Sequence, residues 1–184
     1  MPWMWRTRRP DNPVMSGSVL IRERAPTFAA TRTTTLNVAQ LPEWLGQTYD
    51  RIARYLATRG RHPSGPPFAR YHRHDDGRFG VTAGFPVDDK FVGDGDVVAE
   101  YIPGGRVAVV QHRGSYEAMA PAYRTLAQWL ISHHAVALSD PVEVYRTGPD
   151  DAPDPAAQLT DIVQPFRLDS RTGTRAPQVR SDGS

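Results

Sequence analysis

The chain has 184 residues and no cysteine, which excludes disulfides, thiolate metal sites and a cysteine nucleophile. Its formal net charge is +2, but residues 1–14 and residues 167–184 each carry a net +2, and the residues between them carry −2. Charge therefore gives no support for a nucleic-acid-binding face on the folded part. No run of about 18 apolar residues occurs, so we expect no membrane-spanning helix and a cytoplasmic protein.

Composition predicts one domain between two irregular tails. Residues 1–17 show no hydrophobic periodicity and lack the apolar centre of a secretory signal. Residues 168–184 are rich in Arg, Ser, Gly and Thr. We predict disorder in both tails and a folded domain over residues 18–167.

The first half of the domain predicts strands on either side of a helix. β-Formers at residues 19–21 and 28–35 predict strands. Apolar residues at helical spacing, with a proline in the first turn, predict a helix over residues 41–56. Two further strands are predicted at residues 67–72 and 79–87, joined through an Asp-Gly turn.

The second half repeats this order. Strands are predicted at residues 96–102 and 106–112 on either side of Pro103-Gly104-Gly105. An apolar line of residues at helical spacing predicts a helix over residues 119–134. Two last strands are predicted at residues 142–147 and 159–166.

The two halves also match residue by residue. Leu41-Pro42 and Ala120-Pro121 open the two helices, and Pro67-Phe68-Ala69-Arg70-Tyr71 aligns with Pro141-Val142-Glu143-Val144-Tyr145. One helix and three strands are too few to bury both faces of a sheet. The repeat therefore predicts an α+β fold in which duplicated strand-helix-strand-strand halves form one antiparallel sheet, with two helices on one face and a ligand groove on the other.

Strand alternation selects Glu143 as a candidate site residue. Glu143 and Tyr145 point to one face, while Val142 and Val144 point to the other, where we expect them to pack against a helix. By the repeat, Tyr71 and the small Ala69 share the face of the glutamate. The alternative is a solvated glutamate on the wet face of a sheet.

Three further aromatic residues are candidates for the lining of the same groove. Tyr116 follows a glycine turn and is expected to reach over the sheet edge, or else to pack on the second helix. Tyr101 is expected to line the groove from the connecting strand. Trp129 lies near the apolar line of its helix, so we assign it to the core. The predicted ligand-binding residues are thus Glu143, Tyr145, Tyr71, Tyr116 and Tyr101, with no catalytic residue assigned.

Other residue clusters do not predict a site. His72 and His74 lie beside acidic residues in a turn, and His133-His134 closes a helix, where histidine suits the dipole. Neither pair has a third ligand at a recognised spacing, so we expect no metal. Phosphate-loop, dinucleotide and serine-hydrolase motifs do not occur, and we expect no cofactor.

Several motifs, taken in order and spacing, resemble the GyrI-like family, the effector-binding domains of gyrase-inhibitory proteins and of some AraC- and MerR-type regulators. The resemblance covers residues 19–166. Its motifs are Pro103-Gly104-Gly105, His112-x-Gly114-x-Tyr116, Tyr123-x-x-Leu126-x-x-Trp129-Leu130, Glu143-x-Tyr145 and Gly84-Phe85-Pro86-Val87.

The resemblance implies a ligand pocket between the halves, faced by a buried glutamate at the position of Glu143. The chain differs from many members at Val142, where they carry an aromatic residue, and at Gly148-Pro149, where they carry Asp-Pro. The stretch before Val19 is too short for the DNA-binding domain of the regulators, so we expect no direct DNA binding.

Three functions follow from residues and resemblance together. The first is a stand-alone binding domain for hydrophobic small molecules, including cationic ones, that pair with the carboxylate and with tyrosine faces. The second is a hydrolase of strained electrophilic compounds that uses Glu143 with a tyrosine, as reported for some stand-alone members. The third is a protein inhibitor of the gyrase-inhibitory type, whose protein partner the sequence does not identify.

Overall fold

The computed structural model describes residues 18–147 and 154–169. Within them lie nine strands and two long helices, with single-turn 3-10 helices at Val38–Gln40, Tyr116–Ala118 and Pro155–Ala157. The predicted tails lie outside the described residues, apart from Leu168, which ends the last strand, and Asp169. The elements are β1 (Val19–Arg24), β2 (Thr27–Leu36), α1 (Leu41–Ala57), β3 (Phe68–Arg73), β4 (Phe79–Val87), β5 (Val98–Ile102), β6 (Gly105–Arg113), α2 (Ala120–Ser132), β7 (Ala135–Ala137), β8 (Val142–Tyr145) and β9 (Leu159–Leu168).

The sheet is antiparallel throughout, in the order β1-β6-β9-β8-β3-β4-β2-β5, with β7 paired to the end of β9. The order is symmetric about the β8–β3 pair, so the halves β2-α1-β3-β4 and β6-α2-β8-β9 are related as the sequence repeat predicted. β1 and β5 are the two edge strands: β1 pairs with β6 of the second half, and β5 pairs with β2 of the first half. The predicted α+β class and the duplicated sheet are confirmed. The short β7 was not predicted because three residues are too few to show a pattern.

The sheet is strongly curled. Only Ala25 and Pro26 connect β1 to β2, although six strand spacings separate these strands in the sheet order. A flat sheet would hold them roughly 29 Å apart, whereas three peptide steps span at most about 11 Å. Arg24 Nη2 also donates to the carbonyl of Pro103 at 3.0 Å, which ties the two connections between the sheet edges together. The strands therefore form a half-barrel.

Both helices lie on the same face of this sheet. α1 packs through Ile52 and Leu56 against Phe85 and Val87, and α2 packs through Leu126 and its neighbours against Ile162 and Phe166. The face is continuous because Ala69, Glu143 and Ile162 are successive cross-strand partners. Within the described residues, no helix is long and apolar enough to cross a membrane.

The expected packing of Val142 and Val144 against a helix is wrong. They lie on the helix-free face and pack against the buried Val107, Val109 and Val163 of the neighbouring strands. The curl of the sheet brings these valines together without a helix, so that Val107, Val109 and Val163 are buried and Val142 and Val144 are partly buried. Apolar alternation therefore identified the two faces but assigned the helices to the wrong one, and Glu143 lies on the helix-bearing face.

Candidate functional site

Glu143 lies at the centre of the sheet, in β8, where the two halves meet. Its cross-strand partners are Ala69 on β3 and Ile162 on β9, and it is only 9% exposed. The alternative of a solvated strand glutamate is therefore wrong. A carboxylate this buried requires polar partners, since an unpaired buried charge is costly.

Tyrosine hydroxyls supply those partners. Tyr123 Oη, from α2, donates to Glu143 Oε1 at 2.6 Å, and Tyr145 Oη donates to Oε2 at 2.9 Å. The hydroxyls of Tyr71 and Tyr145 are 2.7 Å apart. Because an ionised carboxylate only accepts, the Tyr145 hydrogen is used on Glu143, and Tyr71 must donate to Tyr145. Three hydroxyls are thus oriented around one carboxylate.

Further rings wall the group. Tyr49 of α1 and Tyr116 meet the Tyr145 ring edge-on, with centroid distances of 6.4 Å and 5.6 Å and interplanar angles of 69° and 87°. Tyr49 Oη donates to the carbonyl of Phe68 at 3.1 Å, which fixes its ring. Tyr116 is 40% exposed and is the outermost member. The group around Glu143 is therefore bordered by aromatic rings on the α1 side and on the α2 side, and it is open to solvent at Tyr116.

The turn before α2 places Tyr116. Gly114 has φ +131°, a conformation that side-chain-bearing residues rarely adopt, and it reverses the chain after β6. His112 Nε2 donates to the carbonyl of Ser115 at 2.9 Å, because a carbonyl only accepts. The 3-10 turn Tyr116–Ala118 follows at once. These contacts hold the ring of Tyr116 against Tyr145.

Burial controls the titration of the group. Desolvation raises the pKa of Glu143, while the hydrogen bonds from Tyr123 and Tyr145 and the nearby His112 oppose this rise. Desolvation, with the Glu143 charge adding to it, raises the pKa of each surrounding tyrosine: Tyr49, Tyr71, Tyr116, Tyr123 and Tyr145. All five therefore keep their hydroxyl protons at neutral pH. Among residues 18–147 and 154–169, no arginine or lysine pairs with Glu143.

The structure brings together four of the five residues predicted for the site, namely Glu143, Tyr145, Tyr71 and Tyr116. Ala69 also lies opposite Glu143, as the repeat predicted. Tyr101 is not part of this group: it lies on the edge strand β5, 58% exposed, with its ring 5.5 Å from that of Phe28. The expectation that it lines the groove of Glu143 is not met, because β5 is separated from β3 by two strands.

Sequence reasoning missed Tyr123 and Tyr49 as members of the group. The hydrophobic periodicity assigns both residues to the apolar faces of their helices. The available signal was the hydroxyl, since a tyrosine in an apolar helix face needs a polar partner across the interface. For Tyr123 that partner is Glu143 itself.

Across the described parts of the chain, no group of His, Asp or Glu residues has the geometry to hold a metal ion.

Comparison with protein families gives one match that covers most of the chain. The family model of the GyrI-like small-molecule-binding domain matches residues 26–167. Among curated protein sequences, none matches the chain.

Solved structures show where the same fold occurs. The C-terminal domain of EcmrR superposes with a TM-score of 0.70 at 18% identity, covering 83% of this chain and 98% of that one. A hydrolase from Listeria innocua gives a TM-score of 0.63 at 9% identity, with coverages of 84% and 94%. SAV2435 bound to tetraphenylphosphonium gives 0.56 at 11% identity, with coverages of 82% and 94%. At these identities the likeness is one of fold.

Proposed function

This chain belongs to the family of GyrI-like small-molecule-binding domains, and we propose that it binds hydrophobic cations beside Glu143, between α1 and α2. One observation carries the proposal. The Glu143 carboxylate is buried at the junction of the two halves and is held by tyrosine hydroxyls, without a cationic side chain from the described residues. A ligand cation would supply the missing charge.

The hydrogen bonds from the tyrosines leave acceptor sites of Glu143 free for such a ligand. An ionised carboxylate has about four acceptor sites, and the tyrosines use one on each oxygen. A cation can therefore pair with Glu143 while Tyr123 and Tyr145 keep their bonds. These bonds also stop the carboxylate from rotating away, so its orientation is set before the ligand arrives.

The aromatic wall favours cations over neutral ligands of the same shape. The rings of Tyr49 and Tyr116 pack against the ring of Tyr145, whose hydroxyl binds the carboxylate. Each cation–π contact with such a ring contributes about 0.5–2 kcal/mol, depending on desolvation. Trp44 and Leu45 of α1 add apolar surface to the same cluster. Because Tyr116 is the exposed member, we expect the ligand to enter on its side and to displace its ring.

Tetraphenylphosphonium is the natural probe, since it is the ligand of the similarly folded SAV2435. Tetraphenylborate has nearly the same shape and the opposite charge, so it separates charge recognition from hydrophobic fit. Isothermal titration of the full chain with both ions should give much tighter binding of the cation than of the borate.

Glu143→Gln then tests the carboxylate. We expect at least a tenfold loss of affinity for tetraphenylphosphonium, with borate binding unchanged or improved. The matched control is Glu117→Gln, which removes an exposed carboxylate one residue from Tyr116 and should leave both affinities unchanged. Equal affinity of the wild-type protein for the two ions, or an unaltered Glu143→Gln variant, would contradict the proposal.

The hydrogen-bonded series Tyr71, Tyr145 and Glu143 also supports a second function, hydrolysis of strained electrophilic compounds. A carboxyl group with a raised pKa can act as a general acid or base, and the tyrosine hydroxyl can relay its proton. Mass spectrometry of the protein incubated with cyclopropane-containing electrophiles distinguishes the two functions, because a hydrolase adds water and a binding protein returns the compound unchanged. Inhibition of a protein partner stays a prediction from the family resemblance.

A further inference from the structure

The helix-free face of the sheet contains a depression of about 280 Å³. It is separate from Glu143, because Arg70 and His72 alternate along β3 with Ala69 and Tyr71 and so point to the opposite face. Its lining is polar and includes Arg70, His72, His74, Thr33, Thr82 and Asp140.

A glycine forms the floor of the depression. In the register of the three central strands, Arg70, Thr82 and Thr33 make one cross-strand row, and the next row has Gly80 at its centre. A Cβ atom at Gly80 would lie 3.0 Å from His74 Nε2, so the imidazole lies over the space that a side chain would fill. The absence of a side chain at Gly80 therefore leaves the floor of the depression open, and His74 borders it.

Several polar groups that line the depression keep hydrogen-bonding capacity that no described residue uses. Arg70 uses one N–H, from Nη2 to Glu100 Oε1 at 3.0 Å, and its other N–H groups have no partner among the described residues. His74 Nε2 is shielded from solvent and has no partner there either. The hydroxyls of Thr33 and Thr82 are 3.0 Å apart and share one hydrogen bond, which leaves the second hydroxyl hydrogen available.

The nearby carboxylates are already engaged. Glu100 pairs with Arg70 at 3.0 Å, and Asp140 Oδ2 lies 3.1 Å from His72 Nδ1. These contacts hold the arginine and the imidazole on the wall of the depression. Because both carboxylates pair with basic side chains and Arg70 keeps N–H groups without a partner, the complementary ligand is rich in acceptors.

We propose that this depression binds a small oxyanion, such as phosphate or a short carboxylate. An arginine that still has free N–H groups, an imidazole and a hydroxyl are the donors that recognise such groups. The volume lies just below the range of about 300–1,000 Å³ usual for pockets that hold drug-sized ligands, so the occupant is small. The proposal is independent of Glu143 and of any cation bound between the helices.

Inorganic phosphate is the probe. Titration of the full ¹⁵N-labelled chain at constant ionic strength, balanced with chloride, should give saturable shifts at Thr33, Thr82 and His72, with the amide of Glu143 unmoved. Gly80→Ala fills the floor without changing any charge and should weaken binding at least tenfold. Gly46→Ala makes the same change on α1, where nothing lies within 4 Å of the added methyl, and should leave the affinity unchanged.

Two variants that change charge test whether phosphate binding depends on the positive charge of Arg70. Arg70→Gln should abolish saturable binding. Glu100→Gln removes the negative charge beside Arg70 but keeps an oxygen acceptor that can hold the guanidinium in place. It should therefore strengthen phosphate binding several-fold, an outcome that a purely structural role of the pair would not produce. Shifts that match those of chloride alone, that persist in Gly80→Ala, or that weaken in Glu100→Gln would overturn the proposal. Because Glu143→Gln should not alter them, failure here is distinguishable from failure of cation binding.

Discussion

Ala69 is the direct cross-strand partner of Glu143, so the position equivalent to the carboxylate in the first half of the repeat carries only a methyl group. Ala69 is fully buried and packs in one cluster with Tyr145, Tyr71 and Tyr49. The duplicated fold therefore contains an asymmetric site with one buried charge. This asymmetry suits a ligand that carries a single positive charge.

A second carboxylate at this position tests the idea directly. Ala69→Glu and Ala69→Gln add side chains of nearly equal size to the same buried place, so their difference isolates the charge. At pH 7 we expect Ala69→Glu to be the less stable by about 2–4 kcal/mol, because a buried like charge faces Glu143. Urea unfolding measures this difference, which should shrink at pH 4, where the carboxyls become protonated. Equal stability at both pH values would show that Glu143 is not charged at neutral pH.

The hydroxyl of Tyr123 is expected to contribute strongly to the stability of the empty protein. Tyr123→Phe leaves Glu143 Oε1 without its 2.6 Å donor, and a hydrogen bond to a charged group contributes about 1.5–3 kcal/mol. Tyr71→Phe removes a neutral bond and should cost only about 1 kcal/mol. Tyr116→Phe is the control, because its hydroxyl has no hydrogen-bond partner among the residues described, and its cost should stay within about 0.5 kcal/mol. A Tyr123→Phe variant as stable as Tyr116→Phe would mean that the Tyr123 hydroxyl gives the carboxylate no net stabilisation.

The strand alternation and the repeat predicted much of this site. They placed Glu143, Tyr145, Tyr71 and Ala69 on one face, and the register of β3 and β8 has them there. They could not predict which face the helices cover, because the buried valines around Val142 resemble a helix-packed surface but are covered by the curl of the sheet. That curl depends on the two-residue connection between β1 and β2, a long-range constraint that local pattern does not contain.

The helix residues were harder to predict for a related reason. Hydrophobic periodicity shows that Tyr123 and Tyr49 face the sheet, but not which strand residue lies beneath them. Tyr123 meets Glu143 because α2 packs on Ile162 and Phe166 of β9, the strand beside β8. A pairing across an interface follows from the docking of the elements, which their separate sequences do not show.

Gly84 lies in the family motif Gly84-Phe85-Pro86-Val87, and the close pairing of β2 and β4 explains why a glycine is needed. A Cβ atom there would lie 2.1 Å from the carbonyl oxygen of Ala30, which is backbone and cannot move aside alone. We expect Gly84→Ala to cost at least about 3 kcal/mol in unfolding free energy. Gly46→Ala, in open space on α1, should instead stabilise by up to about 1 kcal/mol. Thermal unfolding of both variants checks the pair, and similar melting temperatures would refute the close-packing explanation.

The raised pKa of Glu143 predicts an unusual dependence of stability on pH. Since the native state holds this proton more tightly than the unfolded chain, the stability that Glu143 contributes is full below its ordinary pKa of 4.5 and is lost as pH rises through the raised native value. The unfolding free energy of the wild type, measured relative to Glu143→Gln, should therefore fall as the pH rises above 4.5 and level off once the raised native pKa is passed. Glu117 is the control of opposite sign, because hydrogen bonds from its own backbone and from Ser115 lower its pKa. Relative to Glu117→Gln, the wild type should gain stability as pH rises towards 4.5 and stay level above it. If both comparisons rise with pH, Glu143 is ionised in the native state as easily as a surface carboxylate, and the tyrosine hydrogen bonds rather than burial determine its titration.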